Sequence, residues 1–190
     1  MHIEYEIKFT GIDPDAIRQW LSSIGATCSI PLRRMYRYVF AHPTNSNAYI
    51  RIRQEGDKIT TSYKEDDGKK WIDSVKEIEV TIDNAEGMRH MYSAFWLREK
   101  AIQETYRETW NHNDVVVTID RRPGLKPFIE IEWLWQEAVE KTIAALGLVS
   151  SDGIYGTVSD LYHAELWIPH AIINETAIIT FDNPPVKRQG

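Results

Sequence analysis

Residues 3–9 read Ile-Glu-Tyr-Glu-Ile-Lys-Phe, an unbroken alternation of apolar or aromatic and charged side chains. On an extended strand successive side chains point to opposite faces. Ile3, Tyr5, Ile7 and Phe9 would then share one face, and Glu4, Glu6 and Lys8 the other. The two-sided pattern returns along the chain. Arg51 and Arg53 alternate with isoleucines, and Thr60, Ser62 and Lys64 fall together. Glu77 and Glu79 oppose Ile78, Val80 and Ile82, Thr118 aligns with Asp120, and Glu130 and Glu132 oppose Ile129, Ile131 and Trp133.

A half-buried antiparallel sheet with a wet charged face is the commonest source of such alternation. Here, however, arginine pairs and carboxylate pairs sit on separate strands, and amphipathic helices are at hand to cover the apolar faces. Those two facts favour a barrel with its charges in the lumen. Such a lumen must balance acids against bases or hold metal ions and anions, because unpaired buried charge is costly.

The local signals agree. Asp13 as N-cap, Pro14 at the first helical position and Gly25 as stop define a helix over 13–24, with Ile17, Trp20, Leu21 and Ile24 on one stripe. Strands are expected at 33–41, 47–55, 58–65, 74–83, 100–110, 113–120 and 127–133, besides the opening one. A turn at 55–58 and an Asn-His-Asn turn at 111–113 separate neighbours. Helices are expected at 85–96, 134–147 and, shorter, near 158–166. The predicted fold class is α+β: an eight-stranded antiparallel closed β-barrel with helices packed outside. Residues 1–168 would form that domain and 169–190 a C-terminal extension.

Composition removes several alternatives. A net charge of −6 argues against nucleic-acid binding through an overall basic surface, yet it allows a local basic pocket. The single cysteine, Cys28, excludes an internal disulfide and a thiolate zinc cluster, and the six histidines show no metal-ligand spacing. No run approaches the roughly 18 apolar residues of a membrane span, and no signal peptide opens the chain, so a soluble cytoplasmic protein is expected.

Carboxylates two residues apart on a strand face stand about 6.6–6.8 Å apart at the backbone. Two such pairs converging would offer hard oxygen ligands to Mg²⁺ or Mn²⁺. Arginine and lysine on neighbouring strands would hold phosphate oxygens, arginine in bidentate fashion. Acid pairs beside a basic wall point to polyphosphate chemistry, and no Walker-type or Rossmann glycine-rich loop competes with it.

These residues resemble the CYTH superfamily, the triphosphate tunnel metalloenzymes. Glu4-Tyr5-Glu6-Ile7-Lys8 matches its ExExK signature, and Tyr49-Ile50-Arg51-Ile52-Arg53 is similar to its LRIR strand. Ser62-Tyr63-Lys64, Glu77 with Glu79, Arg107 within Tyr-Arg-Glu-Thr-Trp, Thr118-Ile119-Asp120 and Phe128-Ile129-Glu130-Ile131-Glu132 follow in the family's order, over roughly residues 2–166. The resemblance implies an eight-stranded tunnel that acts on triphosphates with Mg²⁺ or Mn²⁺, with a homodimer as the suggested assembly. It implies Glu4, Glu6, Glu130 and Glu132, helped by Asp120, as metal ligands. Lys8, Arg51, Arg53, Lys64 and Arg107 would bind the triphosphate, and Arg34 and Tyr38 would contact substrate from the strand over 33–41. Glu4, Glu6, Lys8 and Arg53 form the candidate catalytic set. Glu77 and Glu79 would either join the metal ligands or pair with the basic strands.

Three positions depart from the family. Thr105 stands where a lysine is common, and nearby Lys100 falls on the opposite face unless a bulge intervenes. Tyr36 replaces an aspartate, and Val158 an aromatic of a C-terminal motif. The implied activity is hydrolysis of tripolyphosphate, a nucleoside triphosphate or thiamine triphosphate. Conversion of ATP to cyclic AMP and pyrophosphate in a class IV adenylate cyclase is the alternative, and a non-catalytic triphosphate-binding module a third.

Overall fold

The computed structural model describes residues 2–66, 75–133 and 135–187. Their elements run β1 (His2–Thr10), α1 (Pro14–Ser23), β2 (Thr27–Ala41), β3 (Ala48–Glu55), β4 (Lys58–Asp66), β5 (Val75–Ile82), α2 (Ala85–Ala94) and β6 (Glu99–His112). Then come β7 (Val115–Arg121), β8 (Phe128–Trp133), α3 (Gln136–Ala145), a 3-10 turn at Ser150–Asp152, α4 (Val158–Leu166), α5 (His170–Asn174) and β9 (Ile178–Ile179). Among the described residues no helix is long and apolar enough to cross a membrane.

The strands pair in the order β2-β3-β4-β5-β1-β8-β7-β6-β9, and β2 also pairs with β6. The eight long strands are antiparallel and curl round a lumen, which places β1 and β8 across from β2 and β3. The expected closed barrel is weakest at one seam. Among the described residues β1 meets β5 at His2↔Glu77, Ile3↔Lys76 and Glu4↔Val75, then continues along β8 from Tyr5 to Thr10. Past β5, the edge of β1 is taken up by Ile154, whose amide and carbonyl bond those of Lys8 at 2.8 and 3.0 Å. The sheet is thus a deeply curled one with a thin junction.

Turn chemistry fixes the register. Glu55 pairs with Lys58 and leaves Gly56-Asp57 as a two-residue turn, with Gly56 at φ 58°, a value that glycine adopts without steric cost. His112 pairs with Val115, so the second turn is Asn113-Asp114 with Asn113 at φ 52°, slightly later than expected. β2 begins at Thr27, well before the expected Arg33. Its register shifts between Cys28 and Ile30 and between Ile30 and Arg33, which erases the alternation and accommodates Pro31.

The main apolar core lies outside the lumen. Ile7, Val117, Ile119, Ile129 and Ile131 point outward from β1, β7 and β8 and are covered by Ile17 and Leu21 of α1 and Val139 and Ile143 of α3. α2 lies over the other side, where its Tyr92 packs edge-on against Phe40 of β2 with ring centroids 5.2 Å apart. Among the described residues no helix covers the outer face of β5, and Ile78 and Val80 are exposed. At the C-terminal end Tyr162, Ile168, Ile173 and Ile179 form a smaller core, and β9 pairs in parallel with β6 at Ile102 and Gln103.

One polar clamp fastens α1 to the sheet. Arg18 donates through Nε and Nη2 to the Glu108 carboxylate at 2.8–3.1 Å, and the Trp110 indole donates to the same group at 2.6 Å. Removing Glu108 would strand two donors, one of them buried. Glu108→Ala is therefore expected to lower stability by about 3 kcal/mol in urea unfolding, and Arg18→Ala, whose guanidinium reaches solvent, by about 1 kcal/mol or less.

Candidate active site

The lumen holds a cavity of about 670 Å³. Its acid wall is built by β1, β7 and β8. Glu6 pairs in register with Glu132, and Lys8 with Glu130, so alternation alone turns all four into the lumen. The Lys8 ammonium, 1% exposed, contacts Glu6 Oε1 at 2.9 Å and Glu130 Oε1 at 3.2 Å, and donates to the Gly156 carbonyl at 2.7 Å. Burial works against that charge, but Glu6 and Glu130 outweigh it and raise the ammonium above its ordinary pKa. Arg107 on β6 makes two bonds to Asp120, at 2.9 and 2.8 Å, and one to Glu130 at 2.5 Å. Asp120 also accepts from the Thr118 hydroxyl at 2.8 Å.

Glu6, Glu130 and Glu132 each bring a carboxylate oxygen within 4.8 Å of the others. The titrations of Glu130 and Glu132 diverge. Burial would raise Glu130, yet Lys8, Arg107 and Arg122 hold it well below the usual carboxylate range. Glu132 is pushed up to about 7, by burial first and by the charge of Glu130 second. Three converging carboxylate oxygens suit a hard divalent cation such as Mg²⁺ or Mn²⁺.

The basic wall lies on β3 and β4 and is held by β5. Lys64 contacts Glu77 at 2.7 Å, and Arg51 contacts Glu77 at 3.2 Å and Glu79 at 3.7 Å. Arg53 contacts Glu79 at 3.0 Å, and burial, then Arg51, lower its guanidinium pKa. Glu77 and Glu79 thus pair with the basic strands and stand apart from the three-carboxylate group. Asp120 likewise serves Arg107.

The cavity brings together Glu6, Lys8, Arg51, Arg53, Lys64, Glu77, Glu79, Arg107, Glu130 and Glu132 of the candidate residues. The side chain of Glu4 lies outside the described residues. Arg34 and Tyr38 are not part of the lumen. Arg34 pairs with Glu104, and Tyr38 lies under the Arg89 guanidinium of α2, 4.1 Å from the ring centroid. The irregular first half of β2 puts its odd-numbered residues inward, so Arg37 enters the cavity in their place. Arg122 lines it as well, continuing the phase of Thr118 and Asp120 beyond the end of β7. The bulge that would turn Lys100 inward is present: β2 steps from Val39↔Ala101 to Phe40↔Glu99, skipping Lys100, which lines the cavity.

The raised Glu132 carboxyl has a measurable consequence. Between roughly pH 4.5 and 7 the folded chain keeps a proton that the unfolded chain has lost, so this group's contribution to stability declines as pH rises through that window. With a chelator present, the melting temperature is expected to fall from pH 5 to 8, and less steeply in Glu132→Gln. Mg²⁺ or Mn²⁺ is expected to restore it at pH 8, with weaker metal affinity at pH 6, where the ion must displace the proton.

Comparison with known proteins follows the same lines. No curated protein matches the chain. Among solved structures, the PH1012 protein of Pyrococcus horikoshii is 19% identical, with a TM-score of 0.70 over 84% of this chain and 99% of that one. A Vibrio parahaemolyticus protein named a putative adenylate cyclase is 11% identical, with a TM-score of 0.71 over 84% and 97%. Another so named, from Bacillus halodurans, is 13% identical, with a TM-score of 0.53 over 78% and 92%. At these identities the likeness is one of fold. The sequence itself matches the CYTH domain over residues 2–148, and the chain belongs to the CYTH family.

Proposed function

We propose that the chain is a divalent-metal-dependent triphosphatase working inside the lumen. The observation that carries this reading is the group Glu6, Glu130 and Glu132, gathered within 4.8 Å, in one cavity with Arg51, Arg53 and Lys64. Mg²⁺ or Mn²⁺ held by those carboxylates would neutralise phosphate oxygens and polarise the phosphorus. The chain's own residues supply the rest. Lys8 and Arg107 hold Glu6 and Glu130 in place, and Arg51, Arg53 and Lys64 grip phosphate oxygens through charge-assisted bonds. Water attacks the terminal phosphorus in line, forming one P–O bond as the bridging P–O bond breaks. A glutamate of the acid wall accepts the water's proton, and the leaving phosphate's charge rests on the basic wall.

Phosphorus NMR of incubations with tripolyphosphate, ATP or thiamine triphosphate, with Mg²⁺ or Mn²⁺, tests the reading. Orthophosphate release is expected. Pyrophosphate with cyclic AMP would replace it by cyclisation, and retained binding without turnover by a triphosphate-binding module. Glu6→Gln and Glu130→Gln are expected to lower kcat by about 100-fold or more, and unchanged turnover in both would remove the acid wall from the mechanism. Arg53→Gln is expected to raise KM as well as lower kcat/KM.

A further inference from the structure

Among the described residues Arg37 is a buried charge without a carboxylate ion pair. It is 2% exposed, sits on the lumen face of β2 and pairs in register with Arg53 on β3. Directly opposed residues of an antiparallel pair hold their Cβ atoms about 4.5–5.5 Å apart, and like charges so placed destabilise the sheet. Arg53 is relieved by Glu79. Arg37 has no such relief among the described residues: its Nη1 donates to the Thr105 hydroxyl, and its buried Nε has no partner.

Arg122 repeats the pattern. Its Nε is also buried without a partner, and it makes no carboxylate ion pair among the described residues. Asp120, the acid whose charge reaches both arginines, is already held by two bonds from Arg107. Burial, then the neighbouring Arg122, Arg107 and Arg51, lower the Arg37 guanidinium well below its ordinary pKa. An arginine nonetheless keeps its proton in proteins, so the charge stays and its cost must be met from elsewhere. Thr105, a neutral residue on the lumen face of β6, is the group that anchors Arg37 from the next strand.

We infer that Arg37 and Arg122 form a phosphate subsite beside the grip of Arg51, Arg53 and Lys64, taking one phosphoryl group of the bound polyphosphate. The inference rests on the triphosphate reading above. Guanidinium forks match phosphate oxygens in bidentate geometry, and an anion placed there would at once relieve the Arg37–Arg53 opposition and fill the idle donors.

Calorimetric titration of the full chain with tripolyphosphate in metal-free buffer tests it, with thermal unfolding in parallel. Arg37→Gln and Arg122→Gln are each expected to weaken binding by about tenfold or more, and Arg37→Lys, which keeps the charge, to recover part of the loss. Without ligand, Arg37→Gln is expected to hold or raise the melting temperature, because it removes a repelled charge. Unchanged affinity in Arg37→Gln and Arg122→Gln overturns the subsite; if Arg51→Gln then still weakens binding, the triphosphate reading survives alone. A lower melting temperature for ligand-free Arg37→Gln overturns the claim that the charge lacks a protein partner. A wild-type chain that binds no tripolyphosphate either in metal-free buffer or with Mg²⁺ added overturns both readings.

Discussion

The buried Lys8 ammonium is the point from which the lumen is organised. Its three contacts come from its own strand, from β8 and from the chain beyond α3, so one charge joins parts of the fold that are far apart in sequence. A cation this deeply buried survives only with acids beside it. In satisfying it, Glu6 and Glu130 are drawn towards each other and towards Glu132, an arrangement that carboxylates would otherwise resist. The lysine therefore pre-assembles an acidic cluster whose own repulsion would scatter it.

The other wall follows the same logic with the signs exchanged. Glu77 and Glu79 let Arg51, Arg53 and Lys64 crowd together on adjacent strands. Preorganised charge of this kind acts more strongly than charge in water, because the surroundings need not reorganise as a ligand arrives. Since the charged faces turn inward, helices α1 and α3 must supply the apolar contact that a filled barrel would find in its interior. That explains why fourteen buried residues of the main core lie between sheet and helices.

Alternation made most of this readable. Wherever a strand runs without irregularity, as in β1, β3, β5 and β8, knowing one inward residue gives the rest, and the carboxylates and arginines of both walls followed. β2 defeated that reasoning. It carries Arg33, Arg34 and Arg37 on both phases, and its register shifts flank all three, two upstream and one between Val39 and Phe40, so no count from either end gives the inward face. The resemblance points to Arg34 and Tyr38 as substrate contacts of this strand, whereas Arg37 is its charged residue that lines the cavity. Arg122 is hidden in the sequence by the Pro123-Gly124 that follows it and signals a loop, although its spacing continues the phase of Thr118 and Asp120. Lys100 could be placed only conditionally, since a one-residue bulge leaves no mark in composition. The C-terminal part is least legible: β9 is two residues long, and it pairs with Ile102 and Gln103 of β6, a distant relation that no local pattern encodes.

The pairing of β1 also governs how the chain can assemble. β1 finds its main partner in β8, with residues of β5 and the backbone of Ile154 completing its edges. Contacts this distant in sequence carry a large loop-closure cost before they return any stability. β2, β3 and β4, joined to one another through short turns, can form while β1 still waits. Glu6 and Lys8 thus remain hydrated through most of synthesis, and the dehydration of the acid wall becomes a late event, completed only when residues past α3 have emerged.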